Sequence, residues 1–183
     1  LPPAAARYFT DQKPLEELYD LENDPHEIHN LADDQSYSHI KYRLRQQLMQ
    51  WMRDIRDLAF IPEPELFHID REYGSRYACF RGSAGAELFD KIWATASVAG
   101  QPDAADRFFL LNALKDHDAS VRYWAAMGLG NLDKTGDYVN QQLRAALKDR
   151  APVVRVAAAR ALYHAGDTDS ALPLLIQELQ SGQ

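Results

Sequence analysis

Hydrophobic positions along this chain follow helical spacing in several separate stretches. Between residues 37 and 58 the apolar or aromatic side chains are Tyr37, Ile40, Leu44, Leu48, Trp51, Ile55 and Leu58. Steps of three and four place all seven on one helical face. Lys41, Arg43, Arg45, Arg53 and Arg56 occupy the other side. Asp33, Asp34 and Ser36 stand just before, where helix N-caps stand. Such a helix buries its stripe against a partner surface. The chain offers little sheet to supply one, so the expected partner lies outside it. Pro62-Glu63-Pro64 then stops the helix, because proline lacks the N–H and disfavours helix in the residue before it. Residues 61–85, with Gly74, Gly82 and Gly85, have no clear period and are read as an irregular linker. Glu87 to Ala99 restores helical spacing through Leu88, Ile92, Trp93 and Ala96, and stops near Gly100-Gln101-Pro102.

From residue 108 the pattern repeats itself. Leu114-Lys115-Asp116 returns as Leu147-Lys148-Asp149, Val121-Arg122 as Val154-Arg155, Ala125-Ala126 as Ala158-Ala159, and Leu129 as Leu162, each 33 residues on. A fixed period of this size marks stacked units that cannot bury their apolar faces alone. Each unit reads as helix, short polar turn, helix, with the second helix rich in alanine for close approach. Ala171 to Leu179 opens a third unit as another first helix. Arg122 and Arg155 are placed to pair with turn acids such as Asp116 and Asp149, within or between repeats.

The first fourteen residues are rich in proline and alanine and read as a connector. They contain no initiator Met and no basic and apolar segments of a signal peptide, so further sequence is expected upstream. Leu18, Tyr19 and Leu21 suit a short strand, and Asn23-Asp24-Pro25 is a turn signal. Glu16 to Asp34 holds eight acidic residues and no Lys or Arg, which reads as a solvated loop.

Composition narrows the function. With 183 residues and 46% hydrophobic content the chain can bury a core. A net charge of -7 argues against a general nucleic-acid binder, which needs a basic face to displace counterions. The basic side of the 37–58 helix lacks the interleaved aromatics of a stacking site. No apolar run is long enough to span a membrane. The lone Cys79 can form no disulfide within the chain. His26 and His29, near Asp24 and Asp33, have the residue types of a zinc site but are read as surface residues. The stretch from Asp20 opens like a calcium loop, yet Pro25 stands where glycine must turn and Leu31 where a bidentate glutamate must bind. Asp116-His117-Asp118 becomes Asp149-Arg150-Ala151 in the next unit, so it is read as a surface turn rather than an acid–base pair. No catalytic, cofactor-binding or metal-binding residue is assigned.

Two resemblances cover most of the chain. The pattern L-x-D-x-x-x-x-V-R-x-x-A-A-x-x-L, carried by Asp116, Val121, Arg122, Asp149, Val154 and Arg155, resembles HEAT-like repeats over roughly residues 104–180. Glu17-Leu18-Tyr19-Asp20-Leu21-Glu22-Asn23-Asp24-Pro25-His26-Glu27-Ile28-His29-Asn30-Leu31-Ala32 resembles the E-L-Y-D-L-x-x-D-P-x-E-x-x-N-L-A signature near the C-terminus of sulfatases of the alkaline-phosphatase-like superfamily. The long helix with Trp51, the Ile61–Leu66 continuation and the repeats are similar to bacterial, heparan-N-sulfatase-like enzymes with a helical extension.

The resemblance implies a mainly α (α+β) chain with three parts. They are a strand-containing sulfatase C-terminal subdomain at 1–60, the irregular linker at 61–85, and a HEAT-like α-solenoid at 86–183. It implies an intact enzyme that cleaves sulfate esters or sulfamates of sulfated glycans with calcium and a formylglycine made in a C/S-x-P-x-R motif. Cys79-Phe80-Arg81-Gly82 has neither the proline nor the arginine, so this chain supplies no such residue. The implied partners are an upstream catalytic domain and, through the repeats, another protein, and the implied location is periplasmic or secreted. A free-standing HEAT-like interaction module is the alternative.

Overall fold

The computed structural model describes residues 2–6, 9, 13–100 and 102–181. Every regular element among them is helical: α1 (Pro3–Ala6), α2 (Ser38–Ile55), α3 (Glu63–Tyr73), α4 (Arg76–Cys79), α5 (Ser83–Ala99), α6 (Arg107–Ala113), α7 (Ala119–Gly130), α8 (Gly136–Ala146), α9 (Pro152–His164) and α10 (Thr168–Ser181). They form two compact units, residues 1–55 and 56–183.

In the first unit an irregular segment leads into α2. The Asp34 side chain accepts the Ser36 N–H at 2.9 Å and starts a short 3-10 turn, Gln35–Tyr37, ahead of the helix. The sequence places Leu58 on the same helix, but α2 stops at Ile55, and Arg56 takes a left-handed φ of 50°. The stripe is largely uncovered: Leu44, Leu48, Trp51 and Ile55 are exposed, Trp51 by 57%. Residues 18–21, expected as a strand, belong to no strand, nor does any described residue. A strand needs a neighbour with free backbone groups. Here Leu18 gives its N–H to the Asn30 side chain and its carbonyl to the Leu31 N–H, so both its backbone groups are used within the loop.

In the second unit α5, α7, α9 and α10 stack side by side, while α6 packs on α7 and α8 on α9. The small residues of α7 and α9 set the spacing. A Cβ on Gly130 would stand 2.7 Å from the Cβ of Ala161, and one on Gly128 2.9 Å from the Ala99 Cα. Leu110, Leu129, Leu143 and Leu162 fill the seam between layers, each fully buried. Truncating such a leucine to alanine typically costs about 2–5 kcal/mol.

The stretch 61–85, expected to be irregular, carries α3 and α4. Its prolines begin a helix rather than only ending one: Pro62 is the N-cap residue of α3, and Pro64 lies in the first turn beside Glu63 and Glu65. Gly74, at φ 76°, closes α3 in the left-handed conformation that glycine adopts without penalty. A second core of Ile61, Phe80, Phe89, Ile92 and Val121 joins this stretch to α5 and α7. The Trp124 indole N–H donates to the Phe60 carbonyl at 2.6 Å, and the Phe60 ring meets Trp93 edge-on at 4.9 Å.

Candidate functional site

Three places gather polar side chains in defined geometry. The first lies in the first unit and contains the acidic motif, residues 16–32. Asn30 is its knot. Its Oδ1 accepts the N–H groups of Leu18 at 2.9 Å and Ala32 at 3.0 Å, and its Nδ2 donates to the Glu16 carbonyl at 3.2 Å. Asp20 makes a local turn, accepting from the Glu22 N–H and the Asn23 amide. The hydrogen bond from the Asn23 side chain holds the Asp20 carboxyl below its usual pKa. Asp24 accepts the His29 N–H at 2.7 Å, which closes the turn around Pro25. Glu27 sits at φ 52° within it.

Glu17 and Leu21 point outward, Leu18, Tyr19 and Leu31 are half-buried, and Ala32 is buried. Within the motif, Asp20, Asp24 and Asn30 satisfy the loop's own backbone. Sequence reading missed its anchors on α2. Arg45 forks onto the Glu16 carboxylate and lowers its pKa, and Lys41 donates to the Ala32 carbonyl. The signal was present as basic residues on the polar side of α2, one and two turns into the helix.

The second place is the row of repeat turns. Asp116 Oδ1 accepts the Asp118 N–H at 2.9 Å, and Asp149 Oδ1 accepts the Ala151 N–H at 2.8 Å. Arg122 Nη1 donates to the carbonyls of Asp116 and His117, and Arg155 Nη1 to those of Asp149 and Arg150. The aspartate shapes the turn, and the arginine six residues on caps the carbonyls left open there. The other side of each guanidinium reaches onward, from Arg122 to Asp149 and from Arg155 to Glu178.

Burial pushes the Asp149 carboxyl up, but the Arg122 fork and the Ala151 N–H outweigh it and hold it below its usual range. Val121 and Val154, just before the arginines, are buried. Asp118 caps α7 through the N–H groups of Ser120 and Val121. The equivalent Ala151 makes no side-chain cap, and Pro152 occupies the first turn instead.

The third place is a cleft of about 710 Å³ in the second unit, between α3 and the turns before α7 and α9. Glu65, His68 and Glu72 line one side, and His117, Asp118 and Arg150 the other, with Ile69 and Leu88 between. Burial first, then the nearby Asp118, raises the Glu65 pKa, while His68 and Arg122 oppose the shift. Cys79 also opens into the cleft, and its thiol is pushed up chiefly by burial, which disfavours the nucleophilic thiolate. No three His, Cys, Asp or Glu among the described residues are grouped to hold a metal, and His26 and His29 are both exposed. No helix of the described residues is long and apolar enough to cross a membrane.

Turn, capping arginine and alanine-rich second helix together mark the end of the second unit as a set of helical repeats. Residues 109–183 match the family model of HEAT repeats. The chain is also similar to sulfatases over short stretches. An "Ulvan-active sulfatase" of Formosa agariphila is 42% identical over 62 residues, 34% of this chain and 10% of that protein. A second protein of that name and organism is 48% identical over 46 residues, 25% of this chain and 9% of the relative. The "Uncharacterized sulfatase YidJ" of Escherichia coli K12 is 43% identical over 42 residues, 23% of this chain and 8% of the relative. The chain thus spans about a tenth of the length of the curated relatives it matches. No solved structure matches. The chain combines a sulfatase-like region with HEAT-like repeats.

Proposed function

We propose that this chain is the non-catalytic C-terminal portion of a sulfatase, in which it completes and braces the catalytic domain. The observation that carries the reading is the bare stripe of α2. Leu44, Leu48, Trp51 and Ile55 leave a contiguous apolar face uncovered, and apolar faces of this kind mark a contact surface. They follow directly on the motif that resembles the sulfatase signature. Glu17, Leu18, Tyr19, Asp20, Leu21, Asp24, Pro25, Glu27, Asn30 and Leu31 are its structural residues, with no role in the chemistry. In the complete domain residues 1–60 would form the sulfatase C-terminal subdomain, with α2 packed on a sheet of the catalytic domain, and residues 86–183 the HEAT-like array.

The catalytic domain would bring the formylglycine and calcium, and this chain would contribute neither. The substrate class is a sulfate ester or sulfamate of a sulfated glycan, in keeping with relatives named for action on ulvan. The location is periplasmic or secreted, and the repeats offer a surface to a protein partner. The test begins with the gene. An upstream frame encoding C/S-x-P-x-R and acidic metal ligands supports the reading. Leu48→Lys should then lower the melting temperature of the intact protein and leave that of the 183-residue chain unchanged, because Leu48 is exposed in the latter. A start codon directly before Leu1, or equal melting of variant and parent in the intact protein, turns the reading to its alternative. That alternative is a free-standing HEAT-like interaction module, favoured by the self-contained packing of residues 56–183.

A further inference from the structure

The cleft between α3 and the turns before α7 and α9 has no part in the sulfatase reading, and its charges do not balance. Its volume of about 710 Å³ lies within the roughly 300–1,000 Å³ of small-molecule sites. Glu65 and Glu72 of α3 and Asp118 of the facing turn bring three carboxylates to it. Among the described residues of the lining, Arg150 is the one permanent cation. Its guanidinium already donates to the His117 carbonyl at 2.8 Å. Arg122, outside the lining, forks onto Asp149 and caps the carbonyls of Asp116 and His117. His68 stands 3.9 Å from Glu72 and counters it only when protonated.

Glu65 is the exposed need of this cleft. It is half-buried, and among the described residues no hydrogen bond or ion pair reaches its carboxylate. Burial and then Asp118 raise its pKa against the pull of His68 and Arg122. A carboxylate partly out of water and without a partner is costly, and a cation in contact relieves that cost. Pro64, Ile69, Leu88 and Pro152 make much of the remaining wall apolar. Such a wall suits the methylene stem of a molecule whose head is charged. A metal ion fits poorly, since no three His, Cys, Asp or Glu among the described residues are grouped to hold one. An anion would face three carboxylates.

We infer that this cleft binds an organic cation, an alkylguanidinium or alkylammonium group whose head meets Glu65 and whose stem lies against Ile69 and Leu88. The inference concerns binding alone. Burial holds the Cys79 thiol in its protonated form, so the cleft offers no strong nucleophile to a bound molecule. Every residue involved lies in the second unit, and the inference does not depend on the sulfatase reading.

The probes are Nα-acetyl-arginine methylamide, its uncharged citrulline analogue and spermidine, each titrated into the full 183-residue chain and followed by backbone amide resonances. At least one of the two cations should shift the Ala119, Ser120 and Ala151 amides, which line the cleft, along a saturable curve. The citrulline analogue should bind roughly tenfold or more weakly than whichever cation binds, as loss of a charged hydrogen bond does. Binding of the arginine derivative alone assigns the cation to a side chain presented by a polypeptide, and binding of spermidine alone to a free polyamine. Both results support the inference. Glu65→Gln should weaken binding by roughly tenfold or more. Asp133→Asn, an exposed acid between α7 and α8, should leave it unchanged. Glu65→Gln removes a partly buried charge and should melt no lower than the parent, which separates lost binding from lost fold. No saturation with either cation, equal binding of the citrulline analogue, or equal effects of Glu65→Gln and Asp133→Asn would each overturn the inference.

Discussion

Arg122 of one repeat and Asp149 of the next are joined by two parallel hydrogen bonds, Nε to Oδ2 at 2.7 Å and Nη2 to Oδ1 at 2.8 Å. Their side chains are only 7% and 13% exposed. Removing one partner of such a pair leaves a charge with poor access to water. Arg122→Ala or Asp149→Ala should therefore cost about 3–5 kcal/mol in urea unfolding. Replacing both with leucine or methionine should recover much of that loss, since a well-packed apolar pair avoids the desolvation penalty. A double replacement no more stable than the worse single one would show that the arginine acts mainly through the carbonyls of Asp116 and His117.

The same pair sets a pH dependence. The folded-state pKa of Asp149 is depressed, so its contribution is present above the unfolded pKa and lost as pH falls through the folded value. Glu65 behaves in the opposite sense, because its folded pKa is raised. Its ionised form opposes folding, and that opposition disappears as pH falls through the folded pKa. Glu65→Gln should therefore raise the melting temperature at neutral pH and have a smaller effect in mild acid. Equal shifts at both pH values would mean that Glu65 is not the titrating group.

Much of the repeat unit was legible because its parts are local. The turn aspartate, the arginine six residues later and the alanine-rich second helix recur in fixed register. What the register could not tell is the partner of Arg155. Thirty-three residues after Asp149 stands Gly182, and Arg155 takes Glu178 instead, about one helical turn earlier. The stretch 61–85 was illegible for a different reason. Pro62-Glu63-Pro64 signals a helix end and a helix start equally well, and the apolar residues that decide it, Phe60, Ile61 and Phe80, cluster with residues of α5 and α7 far along the chain. In the acidic motif the turn residues were visible, but the supposed strand depended on a neighbour that the described residues do not provide. The motif's ties to Lys41 and Arg45 cross from loop to helix, and no local pattern announces them.

The acidic motif should be sensitive at one residue above all. Asn30 satisfies three backbone groups of the 16–32 loop. Hydrogen bonds of this kind contribute on the order of 1 kcal/mol each, so Asn30→Ala should release the Leu18 and Ala32 amides to exchange tens of times faster. Asn30→Asp keeps the acceptor and loses only the donation to Glu16, and should protect those two amides nearly as well as asparagine. Identical exchange in wild type and Asn30→Ala would remove the loop's knot from the account.

Close approach of the alanine-rich helices gives the sharpest steric prediction. At Gly130 the atoms in the way are the Cβ and Cα of Ala161, at 2.7 and 2.9 Å from an added Cβ, and neither belongs to a flexible side chain. Gly130→Ala should force α7 and α9 apart and cost about 1–3 kcal/mol. Gly100 has helical dihedrals and nothing within 4 Å of an added Cβ. Alanine there should be neutral or stabilise by about 0.4–1 kcal/mol, by restricting the unfolded chain. The paired measurement separates steric contact from glycine entropy, because both variants remove the same backbone freedom. If Gly130→Ala melted no lower than wild type, the helices could not be in van der Waals contact at Ala161.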